Sequence, residues 1–392
     1  MTRSAMIALI GLAATSSIVV AARLASPSPA VAGPVMSELD YRDIQIGVWK
    51  KALAMDSASA IALGQLAGLY MQRARESGNE SNYAEAEMYS RRSLALRENR
   101  NGRAFAALAS ALLAQHKFLA ADSVVSRLVS LEPDIPEYRA MHGEIQMELG
   151  NYDAAMQDFQ SLWPLQSNLS IAPRLARWLE VTGRPDGARK LLERSLALAK
   201  MRRDIPREQL AWFHLRLGDI QLRYGRVRSA RKTFEAGLEV VPDDHRVLAA
   251  MARLESLEGN PAKAIDYGER AMAVKLDPAT LGTIADAYAL LGDTAASEDY
   301  FRTMEVAVAG QPGAYHRAWS LFLLDHNRRI AEVLANAEQE IATRKDIYGY
   351  DLLAWALYHA GRRDEARAVM SKALSTGARD PLLLRHAALI YK

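Results

Sequence analysis

The sequence predicts an all-α fold, a superhelical solenoid of about nine antiparallel helix pairs with a single helix at each end. Turn residues recur every 33 to 35 residues, with one interval of 42. Small side chains recur in a constant register around each turn. Half of the residues are apolar and a quarter are charged, as in a large folded protein. A period of this length indicates repeats that stack on one another.

Two columns of small residues locate the helices of each pair. The turn residues are Gly150, Gly183, Gly225, Gly259, Gly292 and Gly361, with His116 and His326 in the same slot. Five places later stand Ala121, Ala155, Ala188, Ala230, Ala264, Ser297, Ala331 and Ala366. Seven places earlier stand Ala109, Gly143, Ala176, Gly218, Ala252, Ala285 and Ala354, with Trp319 as the bulky exception. Helices approach closely only where side chains are small, so we expect both columns at the helix crossings.

One unit shows how each pair begins and ends. Gly259 ends its first helix, because glycine adopts the left-handed conformation at no steric cost. Asn260 can cap the second helix, and Pro261 suits its first turn. The sequence therefore predicts a short turn between two helices at every repeat.

The first 32 residues read as a targeting segment. Arg3 precedes an apolar run over residues 5–22, and Ala30-Val31-Ala32 follows a Ser/Pro-rich stretch. This layout predicts a secretory signal cleaved after Ala32, and hence a secreted or periplasmic protein. The alternative is an uncleaved membrane anchor over residues 5–22, with the rest of the chain on the extracytoplasmic side of the inner membrane.

The remaining chain divides into three parts. Residues 33–58 are expected to form a linker and an N-terminal capping helix near 38–55, followed by the repeat array over 59–379. Residues 380–392 are expected to form a C-terminal capping helix. The interval of 42 residues between Gly183 and Gly225 has extra residues in the basic segment 200–209. We expect this segment to form a solvated loop; the alternative is a contact to membrane phosphates.

The composition argues against several classes of chemistry. The chain has no cysteine, and its eight histidines lack the spacing of metal ligands. Nucleophile motifs and glycine-rich phosphate loops are absent from the sequence. Loss of Arg3 and Arg23 would reduce the net charge from +3 to +1, which offers no electrostatic argument for nucleic acid. We therefore expect a protein that is not an enzyme and has no cofactor, metal or nucleic-acid partner.

The repeats resemble the tetratricopeptide repeat family. The unit from Trp212 to Pro242 carries Leu217-Gly218, Ala230 and Phe234 in the family's pattern. Similar pieces are Gly143 with Tyr152, Ala155 and Phe159, and Ala285 with Tyr288 and Phe301. Most units lack the early Trp and the Tyr of the pattern. The resemblance covers roughly residues 60–379 and implies a right-handed superhelix.

The resemblance also implies a concave groove, lined by the first helix of each pair, that receives a peptide or helix of a partner protein. The register of the first helices places these residues there: Arg174, Arg177, Arg216, Asp219, Arg246, Arg253, Asp286, His316, Arg317, Tyr348, Trp355 and Tyr358. Arginines bind carboxylates and aromatic rings supply anchoring area, so we expect an acidic ligand segment that ends in a hydrophobic one. Some family members hold the carboxylate of a chaperone with a clamp of Lys and Asn side chains. The corresponding positions of this sequence lack that clamp.

The sequence thus predicts a scaffold or adaptor that acts outside the cytoplasm. Two alternatives remain open. One is a structural or assembly component of an envelope or secretion complex that acts through its outer face. The other is an accessory subunit of an enzyme or an unrecognised hydrolase.

Overall fold

The protein is helical throughout the part described by the computed structural model, residues 37–309 and 317–392, and no strand occurs within these ranges. The α-helices are α1 (Glu38–Met55), α2 (Ala60–Ser77), α3 (Ser81–Leu96), α4 (Gly102–Ala114), α5 (Phe118–Leu131), α6 (Pro136–Leu149), α7 (Tyr152–Gln160), α8 (Ala172–Val181), α9 (Pro185–Met201), α10 (Arg207–Arg223), α11 (Val227–Val240), α12 (His245–Leu257), α13 (Pro261–Met272), α14 (Pro278–Leu290), α15 (Thr294–Ala309), α16 (Arg317–Asp325), α17 (Ile330–Glu340), α18 (Ile347–His359), α19 (Arg363–Ala373) and α20 (Pro381–Ile390). A short 3-10 helix, Trp163–Leu165, follows α7.

Consecutive helices pack as pairs. Within the described residues there are nine pairs, from α2–α3 to α18–α19, and each pair stacks on the next. Helices α1 and α20 have no partner of this kind, and they pack at the two ends of the stack. The predicted all-helical solenoid of about nine pairs with flanking single helices is confirmed.

The turns adopt the expected left-handed backbone. Gly150, Gly183 and Gly259 have φ angles of 82°, 76° and 74°. His116, predicted in the same slot, has a φ of 57°. The prediction for His326 is wrong, because Asn327 takes the left-handed conformation at that turn, with a φ of 52°. Asparagine tolerates this region because its short side chain hydrogen-bonds locally.

The small columns are buried where the helices of a pair cross. Ala176 and Ala188 of the fourth pair, for example, are fully buried. The eighth pair is an exception, because its small residue Ala331 is exposed and not buried. The turn there is displaced to Asn327, so Val333 and Ala337 of α17 are buried instead.

Pairs that are distant in sequence also touch. The Lys345 N–H, just before α18, donates to the Leu149 carbonyl at the end of α6, at 3.2 Å. The Tyr152 hydroxyl of α7 accepts from the Ile347 N–H at 2.7 Å. The Thr376 hydroxyl donates to the Val181 carbonyl at 2.7 Å. The third and fourth pairs therefore contact the region of the ninth pair, and the stack closes on itself.

Two turn glycines permit this closure. A Cβ atom on Gly150 would lie 2.2 Å from the Lys345 carbonyl oxygen, and one on Gly183 would lie 2.2 Å from the Gly377 carbonyl oxygen. Gly259 has nothing within 4 Å of that position. The first two glycines thus serve both the helix end and the close approach of another part of the stack.

The long segment between α9 and α10 leads into a contact with the first helices. The Arg207 N–H donates to Glu38 of α1 at 2.9 Å, and Arg75 of α2 pairs with Glu208 at 2.8 Å. Arg202 pairs with Asp204 inside the segment. Residues 200–204 are exposed, as the solvated-loop prediction expects, and the contacts to the first helices are made by Arg207 and Glu208 at the start of α10.

The targeting prediction concerns residues 1–32, and residues 1–36 lie outside the described residues. Among the helices that the structure describes, none is both long and apolar enough to cross a membrane.

Candidate functional site

Charged side chains follow one face of the inner helices α8 and α10. Arg174 and Arg177 are three residues apart on α8, and Arg216 and Asp219 have the same spacing on α10. Arg223 lies four residues after Asp219. Residues spaced by three and four share a helix face, so the helical repeat gathers these charges on one surface.

That surface borders two adjoining cavities. The larger, about 890 Å³, lies between α8, α10 and α12 on one side and α16, α18 and α20 on the other. The smaller, about 540 Å³, is bounded by α6, α8 and α10. We call them the arginine-lined cavities, since their linings include Arg174, Arg177, Arg216, Arg223, Arg253, Arg317 and Arg344. Arg177 and Arg223 line both cavities, so the two meet there.

Several of these arginines have a dedicated carboxylate partner. Arg174 pairs with Glu144 at 2.7 Å, and Arg253 with Asp219 at 2.8 Å. Arg317 donates at 2.5 Å to Asp351, which is completely buried. These charges are neutralised within the protein.

Glu180 is the carboxylate at the junction of the two cavities. It is buried, and it accepts hydrogen bonds from Arg177, at 3.2 Å, and from Arg223. Burial raises the pKa of Glu180, but the charges of Arg223, Arg177 and Arg216 outweigh burial and hold that pKa below its usual value. Glu180 is therefore ionised at neutral pH, and two arginines share it.

The junction is also crossed by a contact between opposite walls. Arg177 of α8 donates to the Tyr348 hydroxyl of α18 at 3.1 Å, and its guanidinium lies 4.9 Å from the centre of the Tyr348 ring. Glu148 and Arg344 make a similar contact at 3.0 Å. Burial raises the pKa of Glu148, so this carboxylate ionises less readily than usual. The arginines thus meet residues far away in the sequence.

Arg216 differs from the other arginines of the cavities. It is half-buried, and it makes no hydrogen bond or ion pair with any of the residues described in the structure. Burial lowers the pKa of its guanidinium, and the charges of Arg177 and Arg223 act in the same direction. A guanidinium nevertheless stays protonated at pH 7, because its pKa starts so far above neutrality. Arg216 is therefore a cation without a partner among the described residues.

Part of the larger cavity is apolar. Leu222, Val227, Leu257 and Leu382 line it beside the arginines. Leu257, at the end of α12, is 71% exposed. The cavity therefore offers an apolar wall next to a cationic one.

The structure brings together seven of the residues that the sequence proposed for partner binding: Arg174, Arg177, Arg216, Asp219, Arg253, Arg317 and Tyr348. Arg246 lines a still smaller cavity of about 210 Å³ that shares Asp219 and Arg253 with the larger cavity, and it pairs with Asp244 at 2.5 Å. These placements agree with an inner surface but do not test binding.

Three other proposed residues, Trp355, Tyr358 and Asp286, do not line these cavities. Trp355 is buried, its indole N–H donates to Asp325 at 3.1 Å, and it stacks on His386, so its ring is not presented to a partner. Tyr358 stacks on Trp355. Asp286 pairs with His326 at 3.0 Å. His316 lies outside the described residues.

Sequence reasoning missed Arg223, Glu148, Arg344 and Asp380. Arg223 and Glu148 each stand two places before a turn glycine, and extending the three-and-four spacing along the inner helices would have found them. Arg344 and Asp380 belong to loops that reach the cavities only through closure of the stack, so no local pattern signals them. Within the described residues, no cluster of side chains suits a metal ion.

Comparisons with known proteins identify the repeat. A family model described as "Tetratricopeptide repeat" matches residues 183–254, and a second model with the same description matches residues 106–166. The first match contains Arg216, Asp219, Arg223 and Arg253. No curated protein sequence matches the chain.

Solved structures are similar in fold only. The human IFIT1 dimer with PPP-AAAA has a TM-score of 0.52 and 15% identity, with 87% of this chain and 78% of that chain covered. The same dimer with m7Gppp-AAAA has a TM-score of 0.54 at the same identity and coverage. Pseudomonas aeruginosa pilF has a TM-score of 0.36 and 18% identity, with 60% of this chain and 94% of that chain covered.

Proposed function

We propose that this chain, a tetratricopeptide repeat protein, binds an extended acidic segment of a partner protein in the arginine-lined cavities. Tetratricopeptide repeats form protein-interaction scaffolds, because a curved stack of units offers a long continuous surface. Families built from such repeats are generally not enzymes. The observation that carries the proposal is Arg216, a cationic side chain of the cavities that has no ion-pair partner among the described residues.

Arg216 stands out because the other arginines of the cavities pair with carboxylates of the protein. Seven arginines and four carboxylates line the cavities, and the buried Glu180, Asp346 and Asp351 pair with arginines of that lining. A guanidinium binds a carboxylate through two parallel hydrogen bonds, and these are stronger where water is partly excluded. An acidic segment would supply a carboxylate for Arg216.

The dimensions favour a segment over a folded domain. Arg177 and Tyr348 touch across the junction at 3.1 Å, so the opposite walls are in contact there. A folded partner could not enter such a space without opening the stack, whereas an extended chain occupies little width. The apolar side chains Leu222, Val227 and Leu257 would then accept a hydrophobic residue next to the acidic ones.

We further propose that this scaffold works outside the cytoplasm. The proposal is supported by the basic residue, apolar run and Ala-Val-Ala triplet of residues 1–32. Amino-terminal sequencing of the protein from its native cell should find Gly33 first if the segment is cleaved. An intact Met1 would leave the anchored form and contradict cleavage.

Binding of a fluorescein-labelled, glutamate-rich peptide, followed by fluorescence anisotropy, tests the partner class. We expect micromolar binding that weakens with salt. The double charge reversal Arg177→Glu with Arg216→Glu should weaken binding at least tenfold. The single change Arg216→Glu should weaken it without breaking an ion pair of the protein, because Arg216 has no partner among the described residues.

The matched control is Arg127→Glu, which reverses one charge at an exposed pair with Glu98 on the outer side of the fifth helix. Equal loss in this control, or unchanged affinity in Arg216→Glu, would contradict the proposal. The ligand named for the human IFIT1 structure, PPP-AAAA, provides a test of another class. Tighter binding of that ligand than of the peptide, with loss in Arg216→Glu, would replace a protein partner by a nucleic acid.

A further inference from the structure

Two guanidinium groups bind one carboxylate at the junction of the cavities, and the charge of a third, Arg216, acts on the same carboxylate. Arg177 and Arg223 both donate to Glu180, and Arg216 on the same helix as Arg223 feels the charges of all three groups. The other carboxylate near Arg216 is Asp219, which is engaged by Arg253 at 2.8 Å. Among the described residues, Arg216 therefore has no carboxylate of its own.

Arg216 is the member of this cluster whose charge no carboxylate of its own balances among the described residues. Glu180 is ionised, so it balances one of the three arginines. Glu148 also faces Arg177, but burial raises its pKa, and Arg344 already pairs with it. Asp380 lies 3.8 Å from Arg223, which is the edge of an ion pair. Unbalanced charge in a partly buried site is costly unless an anion neutralises it.

We propose that Arg177, Arg216 and Arg223 form an oxyanion site that binds a doubly charged group on the partner segment. Two neighbouring carboxylates of an acidic doublet provide this charge, and a phosphorylated side chain provides the same chemistry. The inference rests on the proposed function and adds which part of the ligand is held. Arg216 supplies the free guanidinium, while Glu180 keeps the other two in place.

Trp212 completes the site on the smaller-cavity side. It lies one helical turn before Arg216 on α10 and lines the same cavity. Pro173 and Leu169 border this cavity too. An apolar border lowers the local dielectric around the guanidinium groups and strengthens their attraction for an anion.

Small anions test the site without any partner. At constant ionic strength, malonate and inorganic phosphate each carry up to two charges, whereas acetate carries one. Malonate and phosphate should raise the melting temperature by several degrees and bind with measurable heat in calorimetry, and acetate should do neither. Arg216→Gln should abolish both effects, and Arg92→Gln, the same charge change at an exposed residue of α3, should preserve both. Malonate binding retained in Arg216→Gln would overturn the site.

Peptides then distinguish the two sources of charge and separate this inference from the proposed function. A peptide with a Glu-Glu doublet and one with a phosphoserine are compared with a Gln-Gln peptide. Tenfold tighter binding of the first two, lost in Arg216→Gln, supports the site, and the tighter of the two identifies the source. Peptide binding of equal affinity in wild type and Arg216→Gln would overturn the oxyanion site but would leave the scaffold proposal standing. Malonate binding without any peptide binding would overturn the scaffold proposal while keeping the site.

Discussion

At the scale of single residues, burial decides which charged groups ionise with difficulty. Glu340 at the end of α17 is the clearest case, because burial raises its pKa to about 7. Arg344 opposes this effect and Asp346 adds to it. Arg344 also pairs with Glu148 of the third pair, so Glu340 lies beside the contact that closes the stack. Its protonation is therefore linked to the stability of that contact.

Replacement of Glu340 by glutamine should change the pH dependence of stability. The pKa of Glu340 is higher in the folded state than its usual 4.5, so wild-type stability falls as pH rises from about 4.5 through about 7. A neutral amide at this position would avoid that loss. We therefore expect Glu340→Gln to be more stable than wild type by about 1–3 kcal/mol at pH 8 and nearly equal at pH 5.

Melting temperatures measured by circular dichroism from pH 5 to 8 check this. The hydrogen bond to Asp158 raises the pKa of His142. It is present in both proteins, so its effect cancels in the difference. Glu332→Gln, an exposed carboxylate on the same helix, is the control and should show no such pH-dependent difference. A difference between Glu340→Gln and wild type that stays constant with pH would refute the link.

At the scale of the helix pair, the small columns work by admitting a large ring from the partner helix. A Cβ atom on Gly218 of α10 would lie 2.2 Å from the Phe234 ring of α11. Gly143 of α6 meets Phe159 of α7 at 3.0 Å in the same way. Both rings are completely buried. The small residue and the ring therefore form one packing unit that sets how closely the two helices approach.

Gly218→Ala should destabilise the protein although alanine is the better helix former. Overpacking against Phe234 costs about 1–3 kcal/mol, more than the gain of about 1 kcal/mol in helix propensity. Phe234→Leu should partly relieve the clash, so the double variant should lose at least about 1 kcal/mol less than the sum of the single losses. Thermal and urea unfolding measure these values.

Gly68→Ala provides the control for this pair. Gly68 lies in the interior of α2 with nothing within 4 Å of its Cβ position. Alanine there should stabilise the protein by up to about 1 kcal/mol. Additive losses in the double variant would show that Gly218 and Phe234 do not act together.

At the scale of the whole array, closure turns part of the inner face of the repeats into cavities that stay partly open to solvent. Residues of the third and fourth pairs meet those of the ninth, through bonds such as Thr376 to Val181. The same closure places Tyr348 opposite Arg177. The cavities therefore depend on contacts between parts of the stack that are far apart in sequence.

Gly150→Ala and Gly183→Ala should weaken this closure. Any non-glycine residue at these positive φ angles costs about 1–2 kcal/mol, and the clash with a backbone carbonyl adds about 1–3 kcal/mol. Gly259→Ala should have only the cost of the positive φ angle, because no atom lies within 4 Å of its Cβ position. We expect lower melting temperatures and a larger radius of gyration, measured by small-angle X-ray scattering, for the first two variants than for Gly259→Ala. Identical behaviour of all three would mean that the contacts at Gly150 and Gly183 do not hold the stack closed.

The sequence by itself determined the helix pairs, their number and the residues where helices cross, because these depend on neighbours within one repeat. Periodicity also located Arg174, Arg177, Arg216 and Asp219 on the inner helices. The prediction was wrong for the turn of the eighth pair, since the left-handed residue there is Asn327, one residue later than expected.

Only the tertiary structure decided what faces those arginines. Small rotations between successive pairs accumulate along the stack, and no single repeat records their sum. The closure therefore had no sequence signature, and neither did the positions of Tyr348, Arg344 and Asp380 opposite α8 and α10. For the same reason the pattern could not tell that Trp355 packs inward against His386, while Arg216 is left without a partner among the described residues.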